Sequence, residues 1–221
     1  MFAWPSNYDS CFTLRSPITR EGIGLHSGEK TKVKISPYQE EGYFVSFSDN
    51  SNKIYKLDQS LIGSTMLCTA VKLGTRNLYT IEHLLSSLAG CGLSYIHIEV
   101  DGKEIPLLDG SAIEWVNAFE EVGIRKVITP KNFMIKISSS KIFNKGDSII
   151  AITPYSKLKI ISTIDFSYKA IGQQTFIIDL SPKSFVENIA PARTFGFKDQ
   201  FQELTEIGLI KGGSLENALV C

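Results

Sequence analysis

Hydrophobic and polar residues alternate in short runs through the first half of the chain. Ile96, Ile98 and Val100 alternate with Tyr95, His97 and Glu99, the period of a strand with one buried face. Lys32 to Ser36, Tyr43 to Ser48 and Met66 to Leu73 read as further strands. Two stretches change to helical spacing. Over 81–89, Ile81, Leu84, Leu85, Leu88 and Ala89 fall on one face, with Thr80 as predicted N-cap and Gly90 at the exit. Ser111-Ala112-Ile113-Glu114 has the form of a capping box. The buried stripe Ile113, Val116, Phe119 and Val122 follows, and Gly123 closes the helix.

The pattern then starts over. Thr129-Pro130 interrupts regular structure, and strands are predicted for Phe133 to Ile137, Ser148 to Thr153 and Lys157 to Phe166, with a hairpin turn at Gly146-Asp147. Ser181-Pro182 opens a short helix with proline at its first position, ending before Pro191. Gln200 to Ile207 reads as a helix stopped by Gly208. Strands followed by helices thus occur twice, which predicts an α+β architecture with one domain over 1–126 and a second over 127–221.

Composition narrows the function classes. The 221 residues carry 43% apolar and 21% charged side chains, ordinary globular usage. Lys plus Arg equals Asp plus Glu at 23 each, which argues against a nucleic-acid polymer as partner, since such binding draws on excess cations. Cys11, Cys68, Cys91 and Cys221 form no CxxC pair. They read as reduced thiols of a cytoplasmic protein. No stretch has the apolar length of a membrane span. No obligate protein partner is evident, and contact with a membrane surface stays open.

Candidate chemistry centres on Glu82-His83 in the first turn of a helix. Neighbouring helical side chains point about 100° apart and can address one cleft. An imidazole suits zinc, and an adjacent carboxylate can take a proton from metal-bound water. The plainer alternative is a partly exposed pair, with Glu82 favoured there by the helix dipole. Gly22-Ile23-Gly24-Leu25-His26-Ser27-Gly28 fails the dinucleotide fingerprint and reads as a turn, or as a place where backbone and His26 meet a ligand. Glu104 to Ser111 reads as structural, with a turn at Asp109-Gly110. Arg193-Thr194-Phe195-Gly196-Phe197 is either a core strand ending in Arg or a polar and aromatic contact surface. Lys211-Gly212-Gly213-Ser214 is a turn, or a loop that brings backbone to substrate.

Taken in order, Gly22 to Gly28, Thr65 to Thr69, Thr80 to Gly92, Glu104 to Ala112, Ala192 to Phe197 and Gly208 to Ala218 resemble one family, the zinc-dependent UDP-3-O-acyl-N-acetylglucosamine deacetylases of lipid A biosynthesis. The resemblance spans nearly the whole chain. It implies two domains of similar topology, each a β-sheet packed with helices, around a site between them. It also implies hydrolysis of the N-acetyl group of a UDP-linked, acylated glucosamine. His83 would be a zinc ligand, Glu82 the general base and Thr194 an oxyanion donor. Leu67, Cys68 and Phe195 would lie near the metal, with His26 a further substrate contact. Phe166 would pack on uracil, and Phe201 and Leu215 would line the acyl passage. The family draws two more zinc ligands from an HKxxDxxGD motif, and its acid His from farther on; neither occurs here. The expectation is therefore an incomplete Zn2+ site and second domain, and doubtful activity for these 221 residues alone. The alternative is a non-catalytic nucleotide-sugar-binding module or a decayed enzyme fragment. A smaller departure is Ser148, where many members have Lys.

Overall fold

The structure is a computed structural model and describes residues 2–128 and 136–221. Strand β1 (Phe12–Leu14) leads into β2 (Ile18–Ile23), β3 (Lys30–Pro37), β4 (Gly42–Phe47) and β5 (Asn50–Lys56). A short hairpin of β6 (Val71–Leu73) and β7 (Arg76–Leu78) precedes helix α1 (Glu82–Gly90). Then come β8 (Tyr95–Asp101), α2 (Ile113–Val122) and β9 (Ile124–Lys126). The rest holds the hairpins β10 (Lys141–Lys145) with β11 (Ser148–Ile152) and β12 (Lys159–Asp165) with β13 (Gln173–Asp179). It closes with α3 (Pro182–Asn188), β14 (Phe195–Gly196), α4 (Lys198–Glu206) and β15 (Leu219–Val220).

The main sheet has the order β2-β3-β8-β4-β5, parallel only at β4–β8. Its inward residues come from the alternation read in the sequence. Val33 and Ile35 of β3 and Ile96, Ile98 and Val100 of β8 are all at most 1% exposed. The apolar stripes of α1 (Leu84, Leu88) and α2 (Trp115, Val116, Phe119) complete the core. Phe185 and Ala190, from far along the chain, join the same core. Strands and helices are segregated rather than alternating as parallel βαβ units, so the fold is α+β as expected. Among the described residues no helix is long and apolar enough to cross a membrane.

Several local expectations need correction. The strand expected over 66–73 is strand only at Val71–Leu73, because Leu67 takes a left-handed backbone with φ 59°. Thr80 is not the N-cap of α1: that place belongs to Ile81, with no side-chain cap, and the Thr80 hydroxyl is committed elsewhere. The Ser111 box also fails. Ser111 Oγ accepts from Ile113 N at 3.1 Å, but α2 has Ala112 at its N-cap and Glu114 does not reach back. Ser181 does make a reciprocal box, with Ser184, ahead of Pro182. The strand expected over 133–137 lies mostly outside the described residues, as does the Thr129-Pro130 break. The pattern did not reveal β1, β2, β5, β7, β9, β10, β13 or β15; β1 and β9 pair with each other across most of the first half, Phe12 with Lys126 and Leu14 with Ile124.

The N-terminal segment ties distant elements together. The Trp4 indole donates to Glu120 of α2 at 2.7 Å, and the Tyr8 hydroxyl to Gly90 O at 2.9 Å. Pro5 O accepts from Lys183 N of α3 at 3.0 Å. The two hairpins β10–β11 and β12–β13 are less covered: Ile149, Ile150, Ile161 and Phe176 are each at least 50% exposed.

Candidate active site

Glu82 and His83 open α1, where the helix dipole favours a carboxylate. Glu82 Oε2 accepts from Thr69 N at 2.9 Å, which binds the helix start to the loop carrying Leu67 and Cys68. Burial pushes the His83 imidazole below its usual pKa, opposed by the charges of Glu82 and Asp109. The ring is therefore neutral at physiological pH, the form that can ligate a metal. Burial raises the Cys68 thiol, and the Glu82 charge adds to this. Cys68 is thus a neutral, weakly reactive thiol rather than a nucleophile.

Four described non-glycine residues have positive φ: Leu67 (59°), Thr80 (58°), Leu108 (57°) and Ile210 (49°). Such positions cost on the order of 1–3 kcal/mol each and persist only where surroundings enforce them. Here they flank the candidate residues. Leu67 precedes Cys68, Thr80 precedes Glu82-His83, Leu108 precedes Asp109, and Ile210 N lies 3.5 Å from His26 Nδ1.

The second half reaches this region through the loops around Asp109-Gly110. Arg193 Nε donates to Asp109 O at 2.7 Å, and Thr194 N to Gly110 O at 2.7 Å. A Cβ on Gly110 would collide with Asn217 O, so this approach requires glycine. Asn217 in turn grips the Gly-Gly-Ser loop: its Nδ2 donates to Gly212 O and its Oδ1 accepts from Ser214 N. Arg193–Phe197 is not a core strand. Only Phe195–Gly196 is strand, exposed and paired in parallel with Leu219–Val220.

A mostly apolar cavity of about 690 Å³ lies here. His26 and Thr194 are polar residues of its lining, and Leu67, Phe166, Phe195, Phe201 and Leu215 are apolar ones. Seven of the ten candidate residues therefore share one cavity. Cys68, Glu82 and His83 lie outside its lining, joined to its rim through residues 67–69. Phe166 sits edge-on to Phe195 with ring centroids 5.7 Å apart. It lines the same cavity as Phe201 and Leu215. Phe197 joins this cluster and stacks on Tyr168 at 4.0 Å, and the Tyr168 hydroxyl donates to Asp199.

Sequence reasoning missed Glu104, which is 1% exposed and accepts hydrogen bonds from His26 N, Ser27 N and the Thr80 hydroxyl. A carboxylate ahead of the apolar run Ile105-Pro106-Leu107-Leu108 was the available signal. Asp109 was read as a turn residue only, yet its charge is felt at His83.

Comparison with known proteins gives the family. Residues 12–221 match the family described as "LpxC: UDP-3-O-acyl N-acetylglycosamine deacetylase". A protein of Trichormus variabilis named UDP-3-O-acyl-N-acetylglucosamine deacetylase is 40% identical over 215 residues, covering 95% of this chain and 77% of the relative. One of the same name from Nautilia profundicola is 36% identical over 208 residues, covering 94% and 71%. With a match across 12–221 and relatives of this identity and coverage, the chain belongs to the UDP-3-O-acyl-N-acetylglucosamine deacetylase family.

Proposed function

We propose that this chain supplies Glu82, His83 and Thr194 to the hydrolysis of the N-acetyl group of a UDP-linked, 3-O-acylated glucosamine in lipid A biosynthesis. The observation that carries the reading is the apolar cavity of about 690 Å³ whose rim is tied to Glu82 through Thr69. Its aromatic and aliphatic wall suits a fatty acyl group, with Phe201 and Leu215 as the residues that limit chain length. Phe166 is proposed as the flat surface for the uracil ring, at the edge of the same wall. The units divided at 126/127 are proposed as the two sides of this cleft.

In the proposed reaction, water adds to the acetamide carbonyl and the C–N bond breaks, giving acetate and the free amine. Glu82 is the base. One carboxylate oxygen is anchored by Thr69 N, and Oε1, with no partner among the described residues, takes the proton of the attacking water. The Thr194 hydroxyl donates to the carbonyl oxygen as negative charge develops there. Its backbone is fixed on both sides, N donating to Gly110 O and O accepting from Leu219 N. His26 lines the cavity with Nδ1 toward Ile210 N and Nε2 unpartnered, so Nε2–H is a donor for substrate oxygen. Leu67, Cys68 and Phe195 exclude water around these groups.

Zinc is the metal we propose for the site, with His83 as one ligand; bound there it would polarise the carbonyl and acidify water. The described residues do not complete such a site. Among them no group of three or more His, Cys, Asp or Glu could hold a metal, and a catalytic zinc takes three protein ligands. The same observation favours one other reading, a nucleotide-sugar-binding module without chemistry.

Deacetylation kinetics separate the two. Glu82→Gln is expected to lower kcat by about a hundredfold or more with little change in KM, and Thr194→Val by a comparable factor. Equal turnover in both variants and the parent would remove these residues from the reaction. UDP binding by calorimetry with no turnover in the parent would favour the module.

A further inference from the structure

Glu104 holds a full negative charge at 1% exposure, and no cation pairs with it among the described salt bridges. Its charge is held by dipoles instead. Oε1 accepts from His26 N at 2.9 Å and from the Thr80 hydroxyl at 2.8 Å, and Oε2 from Ser27 N at 2.8 Å. Burying an ion is expensive unless such donors surround it. A plain brace would not need a charge, since a neutral side chain could tie two loops at lower desolvation cost. Gly24 has been shaped to fit it: a Cβ there would overlap the Glu104 carboxylate and Ser27 Oγ.

The three donors belong to two different parts of the site. His26 and Ser27 lie in the turn between β2 and β3, which the second half touches directly. Gly212 N donates to Leu25 O at 2.9 Å, and Ile210 N faces His26 Nδ1. Thr80 is the buried, left-handed residue that sets the direction in which α1 begins, two positions before Glu82 and three before His83. A β-branched residue keeps φ 58° only if something holds it, and the bond from its hydroxyl to Glu104 is a contact that does so.

We infer that Glu104 is a positioning residue of this site: its buried carboxylate clamps the Gly24–Gly28 turn to Thr80, and so fixes the His26 imidazole relative to Glu82 and His83. The catalytic half of the inference rests on the deacetylase reading above; the positional half does not. The clamp also carries the second half's contact at Ile210–Gly212 to the start of α1, so the cavity wall and the catalytic helix share one anchor.

The chain has three histidines, so ¹⁵N-histidine labelling gives an imidazole spectrum with three ring systems. In the parent, His26 is expected to show the Nε2–H tautomer, with Nδ1 accepting. In Glu104→Gln that signature is expected to average between tautomers while the far-UV circular dichroism stays that of the folded chain. Thr80→Val removes the other arm. It should leave the His26 tautomer intact and lower kcat of deacetylation by about tenfold to a hundredfold with KM little changed; Thr80→Ser should restore kcat. A folded Glu104→Gln with parental His26 signals and parental kcat overturns the inference. So does a fall in thermal midpoint alone, which is what a purely structural brace predicts. Should Glu104→Gln fail to fold, the Thr80 pair decides, and unchanged kcat in Thr80→Val overturns the clamp. Should the parent show no deacetylation, the function reading fails, and the His26 tautomer in Glu104→Gln still decides the positional claim.

Discussion

Gly90, at the last turn of α1, meets Phe185 of α3, and substituting it tests how the two halves of the chain dock. An added Cβ would lie within 2.5 Å of both Phe185 Cδ atoms, against an ordinary carbon–carbon contact of about 3.5–4.0 Å. Gly90 is buried and has no positive φ, so alanine fits its backbone. On propensity alone, Gly90→Ala should stabilise the helix by up to about 1 kcal/mol. The overlap opposes this. Phe185 is 3% exposed and its backbone N is bonded to Ser181 O, so the ring has little room to retreat. Overpacking of this kind costs about 1–3 kcal/mol, so the net effect is destabilising. Phe185→Ala alone should cost about 3–5 kcal/mol through the cavity it leaves. In that background the space at Gly90 is open, and Gly90→Ala should turn stabilising. Urea unfolding of the four proteins gives the cycle. The expected coupling is about 2 kcal/mol, near 4–8 °C in thermal midpoint at this chain length. A Gly90→Ala effect of the same sign and size in both backgrounds would show that α3 does not seat on α1, and the argument would fail.

Three further outcomes follow from other parts of the molecule. Burial pushes the Glu104 carboxyl up, but the bonds from His26, Ser27 and Thr80 outweigh it and hold its pKa below the ordinary 4.5. The unfolded chain therefore binds more protons between the folded and unfolded values. The stability from this group is present above about pH 4.5 and lost as pH falls through the folded value; urea midpoints should fall less steeply with acid in Glu104→Gln, and parallel curves would contradict this. Replacing Phe201, 45% exposed in the cavity wall, with Ala should raise kcat/KM for longer acyl chains over shorter ones by about tenfold; an unchanged ratio would place the chain elsewhere. Trp4→Ala removes the indole bond to Glu120 and its packing on the core, and should cost about 1–3 kcal/mol with faster cleavage in limited proteolysis; a parental thermal midpoint would mean the N-terminal segment holds nothing.

The alternation in β3 and β8 and the apolar stripes of α1 and α2 were legible in the sequence because each depends on local period alone. So were the α+β class, the Gly24–Gly28 turn and the Ser181-Pro182 helix start. Glu82-His83 and the Arg193–Phe197 segment were legible as unusual residue types in recognisable order. The strands β1 and β9 were not, because three-residue strands carry no period and their partners lie far apart in the chain, Phe12 with Lys126 and Leu14 with Ile124. The cap at Thr80 was misread because its hydroxyl found a tertiary acceptor, Glu104, whose closeness no local rule contains, and the box at Ser111 because its hydroxyl donates locally to Asp109 while Glu114 does not reach back. For the same reason Glu104 passed as part of a structural turn. A carboxylate's role is set by which donors surround it once the chain is folded, and only the tertiary structure gathers His26, Ser27 and Thr80 around that one group. The sequence by itself thus determined the family and the elements whose period is local; the fold decided which strands pair across the chain and which candidate residues share a cavity.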